Sequence, residues 1–231
     1  MKRITQLIAA TLVLVGFGIM AIGGVTMMKA TQGIDSLNAV YDAQGLELAY
    51  NEDGQLVDRG TTEGADAIMT LLVDDWKFPV DNAALDPADP LVNTPTELMY
   101  QFATISYHTL HSTVNVTLEE DVEYNGETFA AGTYEFDVDG RYWNDFDRLH
   151  PLEGPARAMA WSPVAHGLLA ELSAGTAADM LAGFSHFDGW KTILIGFAFA
   201  LGGAGLFTST LVKKEEEERL ISRSKEYETV T

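Results

Sequence analysis

Cysteine is absent from this chain of 231 residues. That excludes disulfides, thiol catalysis, thiolate metal sites and a cysteine-linked lipid anchor. Basic residues are scarce, 14 against 34 acidic ones, for a net charge of −20. A surface of that sign repels phosphate backbones, which excludes nucleic acid as a partner. There is no Gly-x-Ser-x-Gly elbow, and Ser162 in Trp161-Ser162-Pro163 reads as a helix cap rather than a nucleophile. No glycine-rich phosphate loop follows a strand. Paired carboxylates abound, but a chain this acidic cannot avoid them, so they carry no hydrolytic signal. Asn115-Val116-Thr117 matches a glycosylation sequon, yet it falls inside a predicted strand.

Charge is also missing from two long apolar runs, Leu7 to Met28 and Thr192 to Val212. About 20 helical residues cross a hydrocarbon core of roughly 30 Å, so both runs read as membrane spans. Met1-Lys2-Arg3 precedes the first, and Lys213, Lys214, Arg219, Arg223 and Lys225 follow the second. Basic flanks favour the cytoplasmic side, which predicts both termini inside and the intervening region outside the cell membrane. Between residues 30 and 190 lie 28 acidic residues and five basic ones, Arg59, Lys77, Arg141, Arg148 and Arg157. The rival reading of the first run is a cleaved signal peptide. Its apolar stretch exceeds the usual length of 7–15 residues, and Lys29 follows it.

The predicted layout is therefore a cytoplasmic N-terminus over 1–6, a span over 7–28, an extracytoplasmic domain over 29–191, a span over 192–212 and a charged cytoplasmic tail over 213–231. The domain is large enough to bury its own core without disulfides. Leu46 to Tyr50 and Gln55 to Val57 flank the turn-forming Asn51-Glu52-Asp53-Gly54 and read as a short hairpin. Glu63 to Trp76 places Ile68, Leu71, Leu72 and Trp76 at helical spacing. Four prolines make 79–95 a loop without a helix of its own. Thr94-Pro95-Thr96-Glu97 combines an N-cap, proline at the first helical position and a capping-box glutamate, so a helix starts there. Val114 to Leu118, Val122 to Tyr124 and Gly132 to Val138 alternate as strands, with Asn125-Gly126 as a hairpin turn. Pro155 to Trp161 predicts one helix and Pro163 to Leu172 a second. Gly175 should close that second helix, and Thr176 with Asp179 should open a third. The fold class is α+β, with two transmembrane helices flanking a small antiparallel sheet and about four helices.

Three constellations deserve chemical names. His108 and His111, three apart on the capped helix, form half of a zinc or copper site that His150, His166 or Asp74-Asp75 would have to complete. A polar helix face against a loop is the plainer reading. Asp137, Asp139, Asn144, Asp145 and Asp147 around Gly140 offer hard oxygen ligands for calcium, without EF-hand spacing, and Asp139-Gly140 is equally an ordinary turn. In the spans, Ala9, Gly16 and Gly23 recur every seven residues, as do Gly196 and Gly203. Such stripes allow close helix packing. Gly196, Ala200 and Ala204 supply a further stripe at four-residue spacing, so one stripe could join the two spans and another receive a foreign helix. The spans hold no ionisable group for a proton or ion path. The tail from Lys213 should extend the second helix as a solvated stalk with i, i+4 ion pairs, its bases near lipid headgroups.

Asp86-Pro-Ala-Asp-Pro-Leu-Val-Asn-Thr-Pro-Thr-Glu97, Gly140-Arg-Tyr-Trp143 and His150-Pro-Leu-Glu-Gly-Pro-Ala-Arg157 resemble a group of uncharacterised actinobacterial membrane proteins with two terminal spans around one extracytoplasmic domain. The layout is also similar to accessory subunits of respiratory supercomplexes. Paired small-residue stripes, a compact acidic outer domain and the lack of chemistry in the spans and tail lead to the expectation of a non-enzymatic accessory or assembly subunit, with integral membrane proteins and the lipid bilayer as partners and no cofactor. The alternative is an extracytoplasmic module that binds a metal or small molecule.

Overall fold

The computed structural model describes the backbone of residues 2–228 and the side chains of residues 3–223. Met1, the side chains of Lys2 and Lys225 and residues 229–231 of the predicted tail lie outside the described residues. The fold is α+β. Helix α1 (Lys2–Gln44) is followed by α2 (Thr62–Thr70), α3 (Pro95–Leu110), strands β1 (Thr113–Leu118), β2 (Val122–Tyr124), β3 (Glu127–Phe129) and β4 (Gly132–Asp137), then α4 (Glu153–Ala160) and α5 (Pro163–Glu228). The chain divides into two compact units, one holding the sequence up to Asp35 and from Leu181 onward, the other Ser36–Met180.

In the first unit, α1 and α5 run antiparallel with small residues at the contact. A Cβ placed on Gly16 would lie 2.5 Å from the Gly196 carbonyl oxygen and 2.6 Å from the Ala200 nitrogen. One on Gly23 would lie 2.7 Å from the Gly189 carbonyl oxygen, and one on Gly203 2.6 Å from that of Ala9. Each step of seven along α1 thus meets a step of seven back along α5, and the buried Ala30 and Ala182 keep the same spacing. Both helices are long and apolar enough to cross a membrane, and only 17% and 11% of their apolar windows are buried. Helices at the core of a soluble protein would be mostly covered. Here Leu14, Phe17 and Ile22 on α1 and Leu194, Phe197 and Leu201 on α5 remain exposed. In this register, the stretches free of charge on both helices at once are 4–20 and 192–208, about 25 Å at 1.5 Å per residue. Beyond them, Asp188 and Lys191 pair at 2.9 Å beside exposed Phe184, Phe187 and Trp190.

In the second unit, α3 is the central element. Thr94 caps it, accepting from the Glu97 amide, while the Glu97 carboxylate accepts from the amides of Asn93 and Thr94. Glu97 is only 2% exposed. One core cluster gathers Ile68, Leu72, Leu98, Tyr100 and Ala103 with Tyr41 of α1 and Leu172 of α5. A second gathers Leu71, Leu110, Val138, Phe146, Trp161 and Leu169. Adjacent Leu71 and Leu72, about 100° apart around a helix, serve different clusters where α2 widens into a π turn over Leu71–Asp75. The Gly140–Trp143 segment supports the second cluster: Trp161 Nε1 donates to the Arg141 carbonyl, and Tyr142 stacks on Trp161. Strand β1 pairs antiparallel with β4, Thr113 opposite Asp137 through Leu118 opposite Gly132. The β2–β3 hairpin turns at Asn125 and Gly126, both with positive φ, as a type I′ turn requires.

Several local expectations need correction. The strand that pairs with β2 is Glu127–Phe129, too short and polar to register as a periodic run. The hairpin around Asn51–Gly54 forms but is reduced to one bridge, Tyr50 opposite Leu56, while Leu46 and Leu48 further along pair with Val92 and Pro90. The proline-rich loop contains one 3₁₀ turn, Asn82–Ala84. The largest difference lies at Gly175, where α5 continues without a break. Gly175 sits against the Tyr41 hydroxyl, 2.9 Å from where its Cβ would be, and the Thr176 hydroxyl donates back to the Leu172 carbonyl. Neighbours from α1 thus hold a glycine inside a helix where sequence signals alone favour a stop.

Replacing Thr94 with Ala should cost about 1 kcal/mol, seen as a lower melting temperature of the full chain in mild detergent. Gly16→Leu should force α1 and α5 apart, since non-bonded carbons settle at about 3.5–4.0 Å. With no native cysteine to interfere, spin labels at exposed Leu7 and Leu206 would report the widening; an unchanged distance would refute the seam.

Candidate functional site: an apolar pocket in the second unit

The last turns of α1, the middle of α3 and the first turns of α5 enclose a pocket of about 600 Å³. Each wall follows from helical spacing. Leu37, Tyr41 and Gln44 share one face of α1; Leu98, Gln101 and Ile105 share one face of α3; Leu168, Glu171, Leu172 and Gly175 share one face of α5. The walls are largely apolar, and volume and lining match those of small-molecule sites. Polar groups converge at one region. Gln44 Nε2 donates to Glu171 Oε1, and Gln101 lines the same space. Tyr41 is 6% exposed, and burial, then the Asp179 carboxylate beside it, pushes its phenol above the ordinary range. Burial also raises Asp179, one turn beyond Gly175, against the hydrogen bond it accepts from Tyr41. Among the described residues no Lys or Arg lines the pocket.

Beside α3 lies a second polar group. Arg59 and Gly60 both adopt positive φ in a tight turn that places Asp58 opposite Thr61 and beside α3. Asp58 Oδ2 meets His108 Nε2 at 2.8 Å. Nearby, the hydroxyls of Tyr50 and Tyr100 are buried and unpartnered. Burial, then the negative charge of Asp58, pushes the Tyr100 phenol well above its ordinary range. Burial, then Glu97 and Asp86, raises that of Tyr50. These phenols stay neutral, as donors lacking acceptors.

The two histidines named from sequence are engaged separately. His108 faces Asp58, whereas His111 Nδ1–H donates to the Tyr107 carbonyl and its ring packs on Tyr107. His150 Nδ1 accepts from the amides of Leu152 and Glu153, and His166 lies against Trp143 and Trp161. Among the described residues no group of three His, Asp or Glu side chains comes together to hold a metal. The acids around Gly140 are likewise divided. Asp137 accepts from the Thr113 hydroxyl, Asp145 from the Tyr142 amide, and Asp147 from the Tyr124 hydroxyl and Leu149 amide. Asp139 and Gly140, both at positive φ, belong to a turn closed by the Arg141 amide on the Val138 carbonyl. The small residues Ala9, Gly16, Gly23, Gly196 and Gly203 all lie at the α1–α5 contact, as does Ala200, while Ala204 is exposed.

Sequence reading missed the pocket. Leu37, Tyr41 and Gln44 follow helical spacing past the first apolar run, and Leu168, Leu172 and Gly175 do so before the second. What brings them together is long-range packing of three helix segments within the second unit. No family model matches the chain, and no curated protein or solved structure is similar to it.

His108→Ala should leave the Asp58 carboxylate without its partner and cost about 1–3 kcal/mol, whereas His111→Ala should cost under about 0.5 kcal/mol. Thermal melting with and without added zinc checks both. Equal losses, or a zinc-dependent rise that either substitution removes, would restore the two-histidine site.

Proposed function

We propose that this chain is a two-span protein of the cell membrane that holds an acidic binding module outside, with both termini in the cytoplasm. The module captures a small apolar or amphipathic molecule and does no chemistry on it. The observation carrying this reading is the pocket between α1, α3 and α5, with apolar walls and a few converging polar groups. The exposed apolar surfaces of α1 and α5 support insertion, and the basic residues Arg3, Lys213, Lys214 and Arg219 support the orientation. In the register of the two helices, a bilayer centred on 4–20 and 192–208 would put Phe184, Phe187, Trp190 and the Asp188–Lys191 pair in the outer interfacial belt.

A second reading keeps a specific observation of its own. The chain would be a non-enzymatic accessory or assembly subunit of a larger membrane complex, such as a respiratory supercomplex. The small residues at the α1–α5 contact are occupied by each other, but Gly18, Gly24, Gly202 and Gly205 have open space around them. Small residues on a free face allow a foreign helix to approach closely.

Protease added to intact spheroplasts should cut within 36–180 and spare a C-terminal tag; loss of the tag would overturn the orientation. For the function itself, the full chain can be extracted with its surrounding lipid in copolymer discs. Wild type should carry a small apolar species that Ala174→Trp, which fills the pocket from an exposed position, depletes. Identical small-molecule content would overturn the binding reading. Gly202→Leu should leave that content unchanged; if it instead strips co-purifying membrane proteins, the accessory-subunit reading prevails.

A further inference from the structure

We infer that the pocket selects a single-chain amphiphile whose hydrogen-bonding head carries no negative charge and rejects an anionic one. This rests on the binding reading above and adds the class of ligand. The apolar walls accept a hydrocarbon chain: Leu37, Leu98, Ile105, Leu168 and Leu172 come from three different helices and leave about 600 Å³ between them. Each methylene transferred there from water strengthens binding, so chain length sets affinity.

The head is chosen by the polar groups. Glu171 contributes a carboxylate, Gln44 and Gln101 contribute amides, and Tyr41 brings a buried hydroxyl that faces the Asp179 carboxylate. Together these offer both donors and acceptors to a hydroxyl, amide or carbonyl head. A phosphate, sulfonate or carboxylate would meet the Glu171 charge with no lysine or arginine among the described lining residues to offset it. The surroundings reinforce this, with 28 acidic and five basic residues between 30 and 190. Two of those bases are already engaged: Arg141 pairs with Glu153 at 3.1 Å, and the Arg157 guanidinium lies 3.8 Å over the Trp143 ring. Anionic heads are therefore excluded by charge, while the Gln44–Glu171 pair can open toward a head without negative charge.

The test uses the full chain in nanodiscs of zwitterionic lipid. These carry either an alkyl glycerol ether or an alkyl sulfonate of equal chain length, each with a photoactivatable diazirine near the chain end. Labelled positions are read by mass spectrometry. The glycerol ether should label peptides holding Val40–Leu46 or Leu168–Ala174, exceeding the sulfonate there by about tenfold, equivalent to 1.4 kcal/mol. Ala174→Trp should abolish that labelling. Glu171→Lys, at an exposed position, should raise sulfonate labelling and remove most of the discrimination. If both probes label the pocket equally and Ala174→Trp blocks both, the ligand class is overturned while the binding reading stands. Labelling confined to 4–28 and 192–212 would overturn both.

Discussion

The contact between α1 and α5 allows no side chain at its closest points, and the arrangement of the first unit depends on that constraint. Where Gly16 meets Gly196, backbone lies against backbone. Two helices that approach this closely gain dispersion contacts along their whole length, and inside a bilayer such contacts must do what the hydrophobic effect does in water. The seven-residue spacing keeps the small residues on one stripe for four successive positions, Ala9, Gly16, Gly23 and Ala30 on α1. Val13, Met20, Met27 and Ile193 flank that stripe, and most other large apolar side chains of the two helices are turned outward, which is why so little of either helix is buried. The same pairing fixes a vertical offset between the charge-free runs, since Gly16 is level with Gly196 rather than with the middle of 192–212.

In the second unit the organising device is polar. Glu97 satisfies the amides of Asn93 and Thr94 from a buried position, and this anchors the start of α3. Both core clusters form around that helix. The ends of α1 and α5 are drawn in as walls, through Tyr41 and Leu172 on one side and Leu169 and Trp161 on the other. The pocket is what remains where three helices meet with Gly175 and Ala174 supplying too little volume to close the gap.

Local chemistry was readable from sequence and long-range pairing was not. Thr94-Pro95-Thr96-Glu97 announces a helix start because all the groups involved lie within four residues. Asn125-Gly126 announces a hairpin for the same reason, although not its short second strand. Gly175, Thr176 and Asp179 misled, since each is a fair boundary signal and only the neighbouring Tyr41 reveals why the helix continues. Spacing alone marks Gly16 and Gly196 as small positions. It cannot say that Gly189 meets Gly23, because that needs the register of two segments more than 160 residues apart. The pocket belongs to the same category, since Leu37, Leu98 and Leu168 become neighbours only through long-range packing of three helix segments within the second unit. His108 could be placed on its helix from sequence, but its partner Asp58 depends on a turn with Arg59 at positive φ, which sequence gives little reason to expect.

Each of the two β-ladders has only two strands among the described residues, so backbone amides and carbonyls along their outer edges have no ladder partner. An open edge of that kind invites the edge of another copy. Glu123 and Glu127 stand on one ladder, and Glu135 and Asp137 on the strand that closes the other. Their like charges make edge-to-edge pairing between copies repulsive. Molecules of this chain brought side by side would be kept apart at these edges by that acidity. For these ladders, charge acts as a spacer between neighbours.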